Sequence, residues 1–221
     1  MAVAIRTPFF ETSVKNYLWG DAVVDYAREV DALAVRLDVD CLFFAPYTEL
    51  RRVAEVSRRL IVCAPYMDAA PPGRGIANVL PEALAAAGAR GVLVNHSERP
   101  MSLAQVQATI ARAHGLGMFA FACADSVEEA KALAMLGPDV LNPEPTHLIG
   151  TGVGSDLGFI TATTEAIRSV DPRILVEQAA GITTGDQVYA AIMAGSDGAG
   201  AASGILTASD PSRVLTDMVE A

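Results

Sequence analysis

Short apolar runs alternate with amphipathic segments along all 221 residues of the chain. Such apolar runs suit parallel strands buried on both faces, and the amphipathic segments suit helices with one apolar stripe. The predicted strands are 8–14, 41–45, 60–64, 91–95, 118–123, 140–142, 173–177 and 198–201. The predicted helices are 21–37, 48–59, 80–87, 102–114, 126–136, 156–169, 184–194 and 209–219. This alternation predicts an α/β fold with right-handed crossovers between parallel strands.

Eight strand–helix units with no obvious break favour one closed (β/α)8 barrel domain that spans residues 1–221. An open doubly wound sheet is the structural alternative, although the G-x-G-x-x-G signature of a dinucleotide site is absent after the first strand. In a closed barrel the active site lies at the carboxyl ends of the strands. The residues that follow each strand are therefore the candidates for chemistry.

The composition argues against several classes of protein. Hydrophobic residues make up 52% of the chain, enough for a large core, and the net charge of −10 argues against a nucleic-acid surface. Cys41, Cys63 and Cys123 fall inside apolar runs, which indicates buried reduced thiols. The amino terminus lacks the pattern of a signal peptide, and no uninterrupted apolar stretch reaches the ~18 residues of a membrane span. We expect a cytoplasmic protein with no nucleic-acid or membrane partner.

Segments 94–99 and 142–152 each place a titratable side chain where an apolar strand gives way to a loop. The first supplies His96, and the second supplies Glu144 ahead of a glycine-rich stretch whose backbone N–H groups suit a phosphate. Lys15 follows the first strand, so three different polar side chains converge at one face of the predicted barrel. A carboxylate base, an imidazole and an anion site are what proton abstraction beside the carbonyl of a phosphorylated substrate requires.

The same segments carry a resemblance to a known family. Segments 91–99 and 144–152, supported by 41–50, 180–183 and 202–205, resemble the triosephosphate isomerase family, in particular its short archaeal-like branch. The Asn-His-Ser-Glu run and the Glu-Pro…Ile-Gly-Thr-Gly run are specific as a pair, although either alone would be weak. The resemblance implies a TIM barrel and a cofactor-independent aldose–ketose isomerase, which interconverts dihydroxyacetone phosphate and glyceraldehyde 3-phosphate through an enediolate.

The resemblance implies a role for each polar residue at the strand ends. Glu144 would be the base that moves a proton between adjacent carbons, and His96 would be a neutral electrophile that hydrogen-bonds the substrate oxygens. We expect His96 at the start of a helix that runs from Ser97, because the positive end of a helix disfavours an imidazolium. Lys15 would stabilise the developing oxyanion, and Glu98 would help to hold the site together.

The resemblance also implies how the substrate is held. Backbone N–H groups of Gly150, Gly181, Ala202 and Ser203 would bind the phosphate. The loop 145–152 would close over the substrate, exclude water and limit the loss of a reactive enediolate.

Three departures from the family pattern put the identity of the substrate in question. Ser13 stands where family members carry Asn, and it is a candidate contact to a substrate oxygen. Pro65 stands where an amide is usual, and Ala179 stands where a glycine is expected. Two alternatives stay open: an isomerase of another short sugar phosphate, such as a tetrulose phosphate, and a non-catalytic phosphosugar-binding barrel.

The predicted partners are a small phosphorylated sugar and further copies of the chain. Family members associate through their third loop, here residues 66–78, so the resemblance implies a homodimer or a homotetramer. The three histidines are scattered along the sequence and predict no metal site, and the implied chemistry uses no cofactor.

Overall fold

The computed structural model describes residues 4–221, and within them eight parallel strands close into one barrel in sequence order. The strands are β1 (Phe9–Ser13), β2 (Asp40–Phe44), β3 (Ile61–Ala64), β4 (Gly91–Val94), β5 (Phe119–Ala124), β6 (Val140–Pro143), β7 (Leu175–Gln178) and β8 (Gly198–Ala201). Strand β1 pairs with both β2 and β8, which closes the barrel. The closed barrel confirms the predicted (β/α)8 fold and excludes the open sheet.

Among residues 4–221, seven helices connect successive strands, and two more follow β8. They are α1 (Asp21–Leu37), α2 (Leu50–Val56), α3 (Pro81–Ala86), α4 (Leu103–Gly115), α5 (Val127–Ala134), α6 (Leu157–Val170), α7 (Gly185–Met193), α8 (Ser203–Leu206) and α9 (Pro211–Glu220), with a 3-10 turn at Thr146–Leu148. The elements follow the predicted order. Helix α8 was not predicted, because its single turn of 4 residues is too short for an apolar stripe to repeat.

Helix α2 is shorter than predicted because a side chain from another helix ends it. The sequence predicts a helix over 48–59, but α2 begins at Leu50 and ends at Val56. The buried carboxylate of Asp31 on α1 accepts hydrogen bonds from the backbone N–H groups of residues 58–60, at 2.9, 2.7 and 3.2 Å. These bonds satisfy backbone donors outside a helix as the chain enters β3. Such a contact is a tertiary effect that no local pattern reveals.

Large side chains inside the barrel face glycines on the neighbouring strands. Phe119 on β5 lies where a Cβ atom on Gly91 of β4 would be, and Phe9 on β1 fills the same space beside Gly198 of β8. A larger apolar layer, which includes Phe43, packs the outer faces of the strands against the helices. The amino-terminal half of the barrel is therefore filled, and the open space lies at the carboxyl ends of the strands.

Within residues 4–221, no helix is both long and apolar enough to cross a membrane. The same residues contain no group of three or more His, Cys, Asp or Glu side chains arranged to hold a metal ion. Cys41, Cys63 and Cys123 are buried free thiols, as the sequence indicates. Burial, with a smaller effect of nearby carboxylates, raises the pKa of Cys41 to about 12, which keeps this cysteine in its unreactive thiol form.

Candidate active site

A cavity of about 670 Å³ opens at the carboxyl ends of the strands. All the site residues predicted from the sequence line it, although they come from distant parts of the chain. They are Ser13, Lys15, His96, Glu98, Glu144, Gly150, Gly181, Ala202 and Ser203. The ends of β1, β4, β6, β7 and β8 therefore contribute to one mouth, as expected for a (β/α)8 barrel. The individual roles of these residues stay predictions.

His96 and Glu144 contact each other across the cavity. The distance from Nε2 of His96 to Oε2 of Glu144 is 3.3 Å, and the two side chains are only 11% and 10% exposed. Glu144 directly follows β6, and its backbone N–H donates to the carbonyl of Ala124 on β5 at 2.7 Å. A nearly buried imidazole and a nearly buried carboxylate at this distance can act together on one small molecule.

A backbone donor holds the imidazole of His96 in one tautomer. The N–H of Glu98 donates to Nδ1 of His96 at 3.1 Å, so the ring proton of the neutral form lies on Nε2. Because Nε2 faces Glu144, the neutral imidazole presents a hydrogen-bond donor to the cavity.

The predicted helix directly after His96 is wrong. The chain there forms a turn, closed by a 2.7 Å hydrogen bond from the N–H of Arg99 to the carbonyl of His96. Pro100 follows this turn and restricts Arg99 to non-helical backbone angles. Helix α4 begins only at Leu103. The N–H of Glu98, and not a helix terminus, therefore orients this imidazole.

Asn95 anchors the loop that carries His96, a role that the sequence analysis missed. Its backbone is left-handed, with φ of 58°, which asparagine tolerates better than most side chains. Its Nδ2 donates to the carbonyl of Cys123 and to Oε1 of Glu129, both at 3.1 Å, and its Oδ1 accepts from the N–H of Met101 at 2.9 Å. These bonds tie the loop to β5 and α5. The Asn-His pair after a strand was the available signal.

Lys15 enters the cavity from a left-handed turn after β1, where its φ is 42°. Its backbone N–H donates to Oγ of Ser13 at 3.3 Å, and its Nζ donates to Oε1 of Glu98 at 3.0 Å. Burial alone would lower the pKa of Lys15, but the hydrogen bond and charge of Glu98, together with Glu144 and Glu11, raise it above its ordinary value. The ammonium therefore stays charged beside the cavity.

The loop after β6 forms one side of the rim. Its 3-10 turn at Thr146–Leu148 is followed by Gly150 and Gly152, whose φ angles are 73° and 77°. Gly181 after β7 packs against this loop, because a Cβ atom there would overlap the carbonyl oxygen of Val153. The two glycines predicted to bind phosphate therefore lie in segments that contact each other.

Helix α8 completes the rim on the side of β8. It begins at Ser203, and its N-cap residue Ala202 provides no side-chain hydrogen bond. Uncapped N–H groups at the start of a short extra helix after the eighth strand often bind phosphate in this fold. Glycine is required at Gly204, because a Cβ atom there would overlap the carbonyl oxygen of Ile182 in the loop after β7.

Two polar residues deeper in the cavity, Glu11 and Asn142, were not predicted. Phe9, Glu11 and Ser13 alternate along β1, and all three side chains face the barrel interior. Glu11 is 7% exposed and Asn142 is 4% exposed, and Oδ1 of Asn142 has no hydrogen-bond partner within residues 4–221. A charged residue inside an apolar strand was the available signal for Glu11. The cavity therefore has a polar floor as well as a polar rim.

Ser13, Pro65 and Ala179, the departures from the family pattern, also line the cavity. Ser13 is the last residue of β1, and its hydroxyl accepts the backbone N–H of Lys15. The departures therefore lie where a ligand would touch them, and they bear on which ligand fits.

Comparison with known proteins agrees with the resemblance carried by the motifs. Residues 9–221 match the profile of the family described as triosephosphate isomerase. A triosephosphate isomerase of Methanobacterium bryantii is 35% identical over 220 residues, which cover 97% of this chain and 96% of the relative. Those of Metallosphaera sedula and Methanothermobacter thermautotrophicus are 36% and 34% identical, over 98% and 96% of this chain and 93% and 95% of their own length. The similarity therefore includes every element from β1 to α9.

Proposed function

The chain belongs to the triosephosphate isomerase family, and we propose that it interconverts dihydroxyacetone phosphate and glyceraldehyde 3-phosphate through an enediolate without a cofactor. The contact that supports the proposal best is the one between His96 and Glu144. Proton transfer between two adjacent carbons needs a base and a hydrogen-bond donor on the same small molecule, and these groups lie 3.3 Å apart in one cavity.

Glu144 acts as the base in this proposal. It removes a proton from the hydroxyl-bearing carbon of dihydroxyacetone phosphate, and the electron pair of that C–H bond moves toward the neighbouring carbonyl. Negative charge develops on the carbonyl oxygen, where Nε2–H of His96 donates a hydrogen bond and the ammonium of Lys15 offsets the charge. Glu144 then returns the proton to the former carbonyl carbon, while hydroxyl-proton transfers complete the aldose.

The phosphate is held by backbone N–H groups in this proposal, because the net charge of −10 repels anions at long range. The predicted donors are Gly150 in the loop after β6, Gly181 after β7, and Ala202 and Ser203 at the start of α8. The loop 145–152 closes over the bound sugar and excludes water, which limits the loss of the enediolate.

A coupled assay with the purified protein tests the proposal. Glyceraldehyde 3-phosphate is supplied, and the dihydroxyacetone phosphate formed is reduced at the expense of NADH. We expect saturable turnover by the wild type and by Glu128→Gln, a control at an exposed position of α5. Folded protein with no turnover above that of Glu144→Ala would overturn the proposal.

A short ketose phosphate with one further carbon is the second candidate substrate. The observation that favours it is the position of Ser13, Pro65 and Ala179 on the cavity wall, where the family pattern has other residues. The test compares kcat/KM for glyceraldehyde 3-phosphate with kcat/KM for a tetrulose phosphate. Much faster turnover of the tetrulose phosphate would replace the first candidate by the second. Phosphosugar binding with no turnover of either would indicate the non-catalytic barrel.

The working form in this proposal is a homodimer or a homotetramer in the cytoplasm. The segment 66–78 is the proposed contact, and its Ile76 is 96% exposed, so this side chain is available to a partner. The buried thiols suit a reducing compartment. Sedimentation velocity tests the assembly: we expect a dimer or larger, and a smaller species for Ile76→Asp. A wild type that sediments as a monomer at micromolar concentration would contradict the assembly.

A further inference from the structure

Two buried carboxyl groups converge inside the barrel below the mouth of the cavity. Glu11 on β1 is 7% exposed, and Glu177 on β7 is fully buried. Strand β8 lies between them and pairs with both. A Cβ atom on Gly200 of β8 would overlap Oε1 of Glu177 and Oε2 of Glu11, so both carboxyl groups point to the same place. Because Gly200 has no side chain, the carboxyl groups of Glu11 and Glu177 both fit into the space beside it.

Among the described residues 4–221, no cation is bonded to either acid. Both carboxylate oxygens of Glu177 lack a hydrogen-bond partner within residues 4–221. The cation whose charge acts on Glu11 is Lys15, but its Nζ is bonded to Glu98. Burial away from water disfavours the ionised form of each acid, since no cation is bonded to it, and the charge of one would repel the charge of the other, so the protonated form is favoured for both.

We propose that Glu11 and Glu177 stay protonated at neutral pH, so that the barrel interior carries the negative charge of Glu144 alone. In this sense they are positioning residues, which act on the reaction through the surroundings of Glu144 and do not touch the substrate. Asymmetric environments of this kind are how proteins assign different protonation states to neighbouring acids. The protonation of the pair stands on the buried geometry. Its catalytic consequence also rests on the proposed isomerase function.

The surroundings of Glu11 and Glu177 raise the pKa of both acids. Burial, followed by the negative charge of Glu144 and opposed by Lys15, raises the pKa of Glu11 to about 8. Burial also raises the pKa of Glu177 well above its ordinary value, and the charges of Glu11 and Glu144 add to the effect. The nearby acid that remains to act as the base is therefore Glu144.

The other side chains that face the pair from the barrel wall are uncharged. Strands β3 and β5 present Cys63 and Cys123, and burial raises the pKa of both thiols well above the ordinary value. Strands β2 and β4 present Phe44 and Leu93, and β6 presents Asn142. None of these groups replaces the missing cation or adds a further negative charge.

The protonated pair has a consequence for the reaction. An enediolate gains negative charge as it forms, and a second negative charge nearby in a water-poor site raises the energy of that state. When the pH rises far enough to ionise the pair, kcat should therefore fall.

The test uses the isosteric variants Glu11→Gln, Glu177→Gln and the double variant, with Glu128→Gln as the matched surface control. Glutamine keeps the shape of the protonated acid but cannot ionise. Difference infrared spectra at pH 7, recorded without substrate, should show a protonated carboxyl band in the wild type and the control. The double variant should lack that band. If the double variant does not fold, each single variant should lose part of the band.

Unfolding by urea between pH 5 and pH 8 provides a second readout that needs no activity. In this window the folded wild type keeps protons that the unfolded chain releases, so rising pH favours the unfolded state and lowers the urea midpoint. We expect this slope to be smaller in the double variant, or in Glu11→Gln alone, than in the control. For catalysis we expect the wild-type kcat to fall above about pH 8, and the fall to be weaker in Glu11→Gln.

Two results would contradict the proposal that Glu11 and Glu177 are protonated. One is a wild-type infrared spectrum with no protonated carboxyl band attributable to Glu11 or Glu177. The other is an unfolding slope that is unchanged when both are replaced. If kcat decreases at alkaline pH to the same extent in the wild type and in Glu11→Gln, ionisation of Glu11 does not affect the reaction, and its positioning role is contradicted. A wild type that is inactive towards triose phosphates at every pH would refute the proposed function. The spectra and the unfolding slopes would still show whether Glu11 and Glu177 are protonated.

Discussion

Oε1 of Glu98 accepts a 3.0 Å hydrogen bond from Nζ of Lys15, although the two residues are 83 positions apart in the sequence. The backbone N–H of Glu98 donates at the same time to Nδ1 of His96. One residue of the loop after β4 therefore orients two of the three side chains predicted to carry the reaction. The side chain of Glu98 bonds Lys15 and its backbone N–H bonds His96, so a substitution of the side chain removes the first contact and keeps the second.

Glu98→Gln removes the charge that holds Lys15 but keeps the backbone N–H that orients His96. We expect kcat to fall by about 10- to 100-fold, because small misplacements of a catalytic group cost roughly that much. The Glu98 side chain is 61% exposed, so the free energy of unfolding should change by less than about 1 kcal/mol. Steady-state kinetics and urea unfolding check both expectations. An unchanged kcat would show that this ion pair does not position Lys15.

Glu144→Ala removes the proposed base. We expect kcat to fall by at least ~10²–10⁴-fold, the usual scale for the loss of a general base. The affinity for inorganic phosphate, measured by calorimetry, should change little, because backbone N–H groups hold the anion in our proposal. A variant with wild-type kcat would exclude Glu144 as the base.

Gly181→Ala introduces a Cβ atom that overlaps the carbonyl oxygen of Val153 in the loop after β6. We expect KM for the triose phosphate to rise and the free energy of unfolding to fall by more than about 1 kcal/mol, since glycine at positive φ is replaced and a contact is lost. Gly117→Ala is the matched control, because φ there is 72° and no atom lies within 4 Å of the added Cβ atom. Equal effects of both substitutions on KM would show that the contact with the loop is unimportant.

Asn95→Ala removes the hydrogen bonds that tie the His96 loop to β5 and α5. We expect a loss of roughly 1–3 kcal/mol in the free energy of unfolding, together with a lower kcat, because part-buried donors and acceptors lose their partners. Asn95→Gly should retain about 1 kcal/mol more stability, since glycine adopts the left-handed backbone of this position without strain. Denaturation of both variants checks the order, and a more stable alanine variant would contradict it.

Much of the barrel was predictable because it depends on local patterns. The bounds predicted for α1 and β8 agree in full with Asp21–Leu37 and Gly198–Ala201. The pairing of the motifs around His96 and Glu144 was enough to indicate the family before any geometry was known. The predictions failed for three reasons: α8 is too short to show a pattern, a turn before Pro100 replaces the helix expected after His96, and a distant side chain shortens α2. Asp31 ends α2 from another helix.

The sequence by itself determined the order of the strands and helices, the barrel they form and the side chains that follow each strand, because periodicity and motif spacing are local properties. Only the tertiary structure decided how those side chains meet. It placed Nε2 of His96 against Glu144 through a turn and not a helix, and it brought Glu11 and Glu177 together over Gly200. Closure of the barrel sets these distances and removes water from the side chains, and neither effect is visible in a linear chain.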